Sequence, residues 1–174
     1  MNTEFMKGVV VPILTVIDGE EKIDEAGMRD QVEYVIQGGV SGILAFGFAC
    51  GNAPVTGLDA LFRTELALFT VNGDTCHNHY LAVFLFRTFL QIKKNRLAQM
   101  AVKNGAAAVS VLQPMFLKPT YAELYNHFKT IAESVPETPV LLYNNPGRVG
   151  YTLSAQLVEE LAHTVPNIVG MKDT

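Results

Sequence analysis

The sequence predicts an α/β protein built on a parallel sheet, either open and doubly wound or a (β/α)8 barrel that stops after about its sixth strand. Three observations carry this. The strand-like segments are continuous runs of Val, Ile and Leu rather than alternating ones, which suits strands buried on both faces. Amphipathic helical stretches with legible caps separate them. The strands recur about every thirty residues, the length of one βαβ unit. The chain has 174 residues, whereas a complete barrel takes about 250. Periodicity alone does not choose between the two architectures.

In chain order, Gly8 to Leu14 is the first strand. Asp24 caps a helix with Met28, Val32, Val35 and Ile36 on one face, and Gly38-Gly39 stops it. Val40 to Phe46 is the second strand, and His79 to Phe86 a weaker third. Leu97, Met100 and Ala101 form a helical stripe that ends at Asn104-Gly105, ahead of a strand over Ala106 to Leu112. Thr120 and Glu123 make a capping box before Leu124, Phe128 and Ile131. Pro139 to Asn144 is the next strand. Ser154 caps a helix carrying Leu157, Val158 and Leu161, which closes before Pro166, and Asn167 to Lys172 is the last strand.

Composition narrows the function classes. The chain is 49% hydrophobic and 17% charged, with mean hydropathy +0.21, which excludes a disordered chain. Thirteen Lys and Arg stand against 17 Asp and Glu, for a formal charge of -4. The basic cluster Lys93-Lys94 with Arg96 is too short for a nucleic-acid interface. Cys50 and Cys76 cannot build a disulfide framework in a chain of this size. Met1 to Lys7 has no secretory pattern, and Val9 to Val11 and Leu81 to Phe86 fall far short of the roughly 18 apolar residues of a membrane span. The expectation is a reduced, cytoplasmic, soluble protein with neither nucleic acid nor membrane as a partner.

Both parallel architectures bind ligands at the carboxyl ends of their strands. The last strand ends Val169-Gly170-Met171-Lys172-Asp173. A lysine there is either a desolvated amine able to attack a carbonyl or a solvated cation near the chain end. The preceding strand runs into Tyr143-Asn144-Asn145-Pro146-Gly147-Arg148. Tyr143 is a candidate proton shuttle or a core aromatic, and Arg148 a carboxylate clamp or a loop cation. Cys76-His77-Asn78-His79 lacks the second cluster a metal site requires. His127 and His163 are expected on solvated helix surfaces. Neither common Gly-rich phosphate loop is present.

Taken together, Val11-Pro12-Ile13-Leu14-Thr15, Gly38-Gly39-Val40-Ser41-Gly42, Lys118-Pro119-Thr120, Tyr143-Asn144-Asn145-Pro146-Gly147-Arg148 and Gly170-Met171-Lys172-Asp173 resemble the dihydrodipicolinate synthase/N-acetylneuraminate lyase family, in its order. The match covers Lys7 to Gly47 and Leu97 to Thr174. The resemblance implies a (β/α)8 TIM barrel, here truncated after about the sixth strand, and a pyruvate-dependent class I aldolase or synthase, a lyase. It implies that Lys172 forms a Schiff base with pyruvate or another 2-oxo acid and that Tyr143 relays protons. Arg148 then binds a carboxylated substrate, as in the synthase branch. An aldehyde is the implied second substrate, the lysine stands in place of any cofactor, no metal is needed, and the full-length family implies a homo-oligomer.

The chain departs from that pattern in three places. The hydroxyl-rich turn expected after the second strand reads Gly47-Phe48-Ala49-Cys50-Gly51-Asn52. Met115-Phe116 stands where many synthases carry a tyrosine that reaches a neighbouring subunit. The chain stops at Thr174, just past the Schiff-base position. The single incomplete domain 1–174 also contains a stretch, 48–96, that resembles the family nowhere. Compensating frameshifts in the source DNA would produce such a stretch, and a divergent insert is the alternative. The rival functional expectation is a catalytically inactive family member acting as a binding or oligomerising module.

Overall fold

A computed structural model describes residues 1, 3–20, 23–45, 80–85, 91–103, 105–115 and 117–174, with only the backbone of 80–85 and 91–93. The strands are β1 (Val10–Pro12), β2 (Gly42–Ala45), β3 (Tyr80–Leu85), β4 (Ala108–Leu112), β5 (Val140–Asn144) and β6 (Ile168–Asp173). The helices are α1 (Glu25–Gln37), α2 (Gln91–Lys103), α3 (Tyr121–Glu133), the short α4 (Pro146–Val149) and α5 (Ala155–Thr164). All six strands are parallel and lie in sequence order, β1-β2-β3-β4-β5-β6. This order settles what periodicity left open. A doubly wound sheet reverses its strand order at a switch point. Here every crossover advances the same way, and right-handed crossovers then place the helices on one face, as in a TIM-type barrel.

The two faces carry different cores. Toward the helices, Val109, Val111, Val140 and Leu142 pack with Phe128 and Leu161. On the opposite face Leu44, Ala108, Leu112 and Tyr143 pack together with Val149. β2 and β4 are buried at every position, the physical counterpart of their unbroken apolar runs. α2 packs on α3 and α3 on α5. Asn167 pins the loop after α3, its Nδ2 donating to the carbonyls of Ala132, Val135 and Thr138 at 2.9, 3.0 and 3.1 Å.

The expected caps are in place. Asp24 Oδ1 accepts from Gly27 N at 3.0 Å, and Ser154 Oγ accepts from Leu157 N at 3.3 Å. Thr120 and Glu123 form the reciprocal capping box. α1 ends at Gly38-Gly39, where Gly39 adopts φ +81°, a left-handed conformation that glycine takes without a Cβ clash. β1, β4 and β5 are shorter than their apolar runs by four, two and one residues, β6 keeps the length of its run displaced by one residue, and the weak third strand is a full central member of the sheet.

One expectation is corrected. His127 is buried at 8% exposure rather than on a solvated surface, because it lies three residues from Leu124 and four from Ile131, on the apolar face of α3. Its Nε2 is 3.3 Å from the Nζ of Lys94, itself only 5% exposed. Lys94, a member of the short basic cluster Lys93-Lys94 with Arg96, is thus buried. His163 does lie on an exposed helix surface, with Nδ1 2.9 Å from the Glu159 carbonyl oxygen. Cys50, Cys76, His77, His79 and Phe116 lie outside the described residues, as does most of 48–96. Among the described residues no helix is long and apolar enough to cross a membrane.

Candidate active site

The carboxyl ends of β5 and β6 bring Tyr143 and Lys172 together. A register shift between Val140 and Leu141 pairs Leu141 with Gly170 and Tyr143 with Lys172. The shift turns Lys172 onto the same face as Tyr143, since paired residues in a sheet share a face. Gly170 permits it: a Cβ there would meet Leu141 Cδ2 at 3.1 Å.

Lys172 Nζ stands 3.8 Å above the centroid of the Tyr143 ring, within cation–π range, and donates to Thr174 Oγ1 at 2.9 Å. The Tyr143 hydroxyl accepts from Asn145 Nδ2 at 2.8 Å. Burial pushes the Tyr143 phenol up. Hydrogen bonds from Lys172, Thr174 and Asn145, with the Lys172 charge, outweigh burial and hold it below the usual tyrosine range. Tyr143 is 5% exposed, while Lys172 is half-buried and open to a ligand. A tyrosine that releases its proton more readily, against an amine, is an arrangement suited to moving protons during carbonyl chemistry.

The surrounding frame is polar and buried. Asn144, paired in register with Asp173, donates Nδ2 to Asp173 Oδ1 at 2.7 Å and accepts from Leu153 N at 3.0 Å. The end of β6 is thereby tied to the segment behind α4. Gln113, 1% exposed, follows β4 directly. Its Nε2 donates to the Tyr151 carbonyl at 2.5 Å, and its Oε1 accepts from Asn145 N at 3.3 Å. The Tyr151 hydroxyl donates to the Pro114 carbonyl at 2.7 Å, and burial pushes that phenol up to about 12.

Arg148 is exposed on α4, at the same end of the sheet, with its backbone N donating to the Asn145 carbonyl at 3.1 Å. The structure therefore joins two of the three candidates in direct contact and sets the third one short helix away. Sequence reasoning gave no role to Gln113 or Asn145. The available signal was a polar residue immediately after each apolar strand end, Leu112-Gln113 and Asn144-Asn145, at the edge where parallel sheets build their sites.

A parallel sheet in sequential order, with a lysine and a tyrosine side by side at its carboxyl edge, defines a barrel-type α/β protein. Residues 93–174 match the Dihydrodipicolinate synthetase family. The chain is 30% identical to 4-hydroxy-tetrahydrodipicolinate synthase from Porphyromonas gingivalis, over 99% of this chain and 56% of the relative. It is 34% identical to the synthase of the same name from Campylobacter hominis, over 99% and 56%. The crystal structure of chloride-inhibited dihydrodipicolinate synthase from Acinetobacter baumannii complexed with pyruvate superposes with a TM-score of 0.83 at 31% identity, covering 96% of this chain and 55% of that one. The chain belongs to the dihydrodipicolinate synthase family and spans about half the length of the curated relatives it matches.

Proposed function

We propose that this chain carries the Schiff-base half-site of a class I aldolase or synthase, with Lys172 as the amine that condenses with pyruvate or another 2-oxo acid. The observation that carries the proposal is the position of the Lys172 Nζ, 3.8 Å above the Tyr143 ring at the carboxyl edge of the sheet. The neutral amine attacks the 2-oxo carbon to give a carbinolamine, and loss of water from it leaves an iminium. The iminium draws electrons from the adjacent carbon, which loses a proton to form an enamine, and the enamine carbon then bonds to the carbonyl carbon of an aldehyde. Cleavage runs the same steps backwards.

Tyr143 serves as the proton carrier, giving a proton to the departing oxygen and recovering one later. Its depressed phenol, set by Lys172, Thr174 and Asn145, supports that role. Arg148 supplies a planar fork for a substrate carboxylate entering from the open side of α4. The covalent lysine is the electron sink, so no separate cofactor enters the scheme. The pyruvate named in the Acinetobacter baumannii complex supports the choice of 2-oxo acid.

Incubation with pyruvate and sodium borohydride, followed by intact-mass spectrometry, tests the proposal. The unsubstituted chain is expected to gain one reduced pyruvate adduct, and Lys172→Arg to gain none. A folded chain that gains no adduct overturns the proposal.

A further inference from the structure

We propose that Asn145 is a positioning residue for Tyr143, its side-chain amide aimed at the tyrosine hydroxyl and its backbone locked in place by the buried amide of Gln113. The inference rests on the reading of Tyr143 as the proton carrier and adds the device that sets its hydroxyl. Asn145 is anchored at several atoms. Its backbone N donates to Gln113 Oε1 at 3.3 Å. Its carbonyl accepts from Arg148 N at 3.1 Å and from Val149 N at 3.0 Å, which starts α4. With φ -138° and ψ 76° it lies outside the helix it precedes, and its side chain makes no cap bond. An asparagine at an N-cap ordinarily turns its side chain onto the helix's free N–H groups. This one instead donates Nδ2 to Tyr143 Oη at 2.8 Å.

Gln113 makes the anchor rigid. It is 1% exposed and holds the Tyr151 carbonyl with its Nε2 while its Oε1 takes the Asn145 N–H. A buried amide satisfied at both ends has little freedom to rotate. Gln113 and Asn145 therefore join the ends of β4 and β5 through one line of hydrogen bonds that finishes on the Tyr143 hydroxyl. An amide donor on that oxygen favours the phenolate, in the same direction as the Lys172 and Thr174 hydrogen bonds. Among the described residues, the charged groups on the elements packed around Tyr143 are Lys172 and Asp173 of β6 and Arg148 of α4, and β4 contributes none. The second phenol in the cluster, Tyr151, is pushed in the opposite direction.

The test is an NMR titration of the chain labelled at tyrosine Cζ, with Tyr143→Phe to assign the resonance. In the unsubstituted chain Tyr143 is expected to titrate below its neighbours. Asn145→Leu, similar in size but without the donor, should raise its midpoint by about one pH unit. Asn145→Asp should raise it further, since a carboxylate accepts the phenol proton instead of donating. Asn145→Ala gives the same reading if the leucine variant does not fold. Reductive trapping with pyruvate is the second readout. Asn145→Leu should slow it roughly tenfold alone and add no slowing in the Tyr143→Phe background, as expected for a residue acting through that hydroxyl. An unmoved Tyr143 midpoint overturns the inference whatever the trapping shows. Absence of any adduct in the unsubstituted chain overturns the Schiff-base reading instead, and the titration still decides whether Asn145 sets the hydroxyl.

Discussion

Tyr143 and Lys172 face each other across the β5–β6 ladder, paired in register, with the lysine Nζ 3.8 Å above the tyrosine ring. The relationship depends on one irregularity. The pairing advances from Val140↔Ile168 to Leu141↔Gly170, and without that extra residue Lys172 would move to the opposite face. A local feature of the backbone thus decides whether the amine faces the interior or the helices.

The helix-facing core should fail first at Phe128, which is fully buried among the strand and helix side chains. Phe128→Ala is expected to lower unfolding stability by about 3–5 kcal/mol. Urea denaturation measures this, and a loss below about 1 kcal/mol would mean that the site is not close-packed.

Asn167 should tolerate no carboxylate. Its Nδ2 serves three carbonyl oxygens in a buried site. Asn167→Ala removes that donor at a cost of about 1–3 kcal/mol, with the Ala132 and Val135 carbonyls still accepting from the backbone N–H groups of Val135 and Thr138. Asn167→Asp adds a buried acceptor facing acceptors, so its melting temperature should fall below that of the alanine variant at neutral pH and recover in part as the carboxyl is protonated in acid. Equal melting temperatures would contradict the assigned hydrogen bonds.

The buried pair between α2 and α3 makes stability depend on pH in two windows. Burial and the Lys94 charge push His127 down to about 3, against a backbone hydrogen bond to Leu112. An unfolded histidine binds its proton near pH 6.5, so unfolding takes up a proton between these values, and stability falls as pH drops from about 6.5 toward 3. Burial lowers Lys94 from 10.5 to about 8, so stability rises with pH across about 8 to 10.5 by the same linkage. Lys94→Met removes the charge that helps hold His127 down, so it should shorten the acid limb from its low-pH end, making it shallower, and flatten the alkaline one. Urea midpoints across the pH range measure both, and an unmoved acid limb would contradict the coupling.

Much of this architecture is legible in the sequence. Asp24, Thr120-Glu123 and Ser154 announce three helix starts through local capping chemistry, and the apolar runs announce buried parallel strands. Local signals cannot give strand order, which depends on how distant segments meet, so the barrel-type winding is implied by the family resemblance and seen in the sheet itself. The contact between Tyr143 and Lys172 spans separate strands and rests on a register shift that no composition rule marks. His127 shows the reverse failure: its spacing from Leu124 and Ile131 was visible, but a polar identity suggested solvent. The burial of Lys94 is produced by a helix packed against its own, which no local signal in the Lys93-Lys94 cluster marks.

Arg148 should separate the two substrates. In the proposed function Arg148, exposed on α4, takes a carboxylate on the incoming aldehyde and has no part at the 2-oxo carbon. Arg148→Ala should raise KM for a carboxylated aldehyde at least about tenfold, as loss of a charge-assisted hydrogen bond predicts, and leave pyruvate trapping within about twofold. Abolished trapping would assign Arg148 to the 2-oxo acid.

The central claim is that Lys172, and not another lysine, is the reactive amine. Lys94 is the informative competitor, since burial lowers it to about 8 and its Nζ stands against His127 rather than Tyr143. Peptide mapping after reductive trapping with pyruvate distinguishes the two directly. The account predicts the reduced adduct on the peptide that contains Lys172, and on no other. An adduct on Lys94, or one spread over the surface lysines, would contradict it.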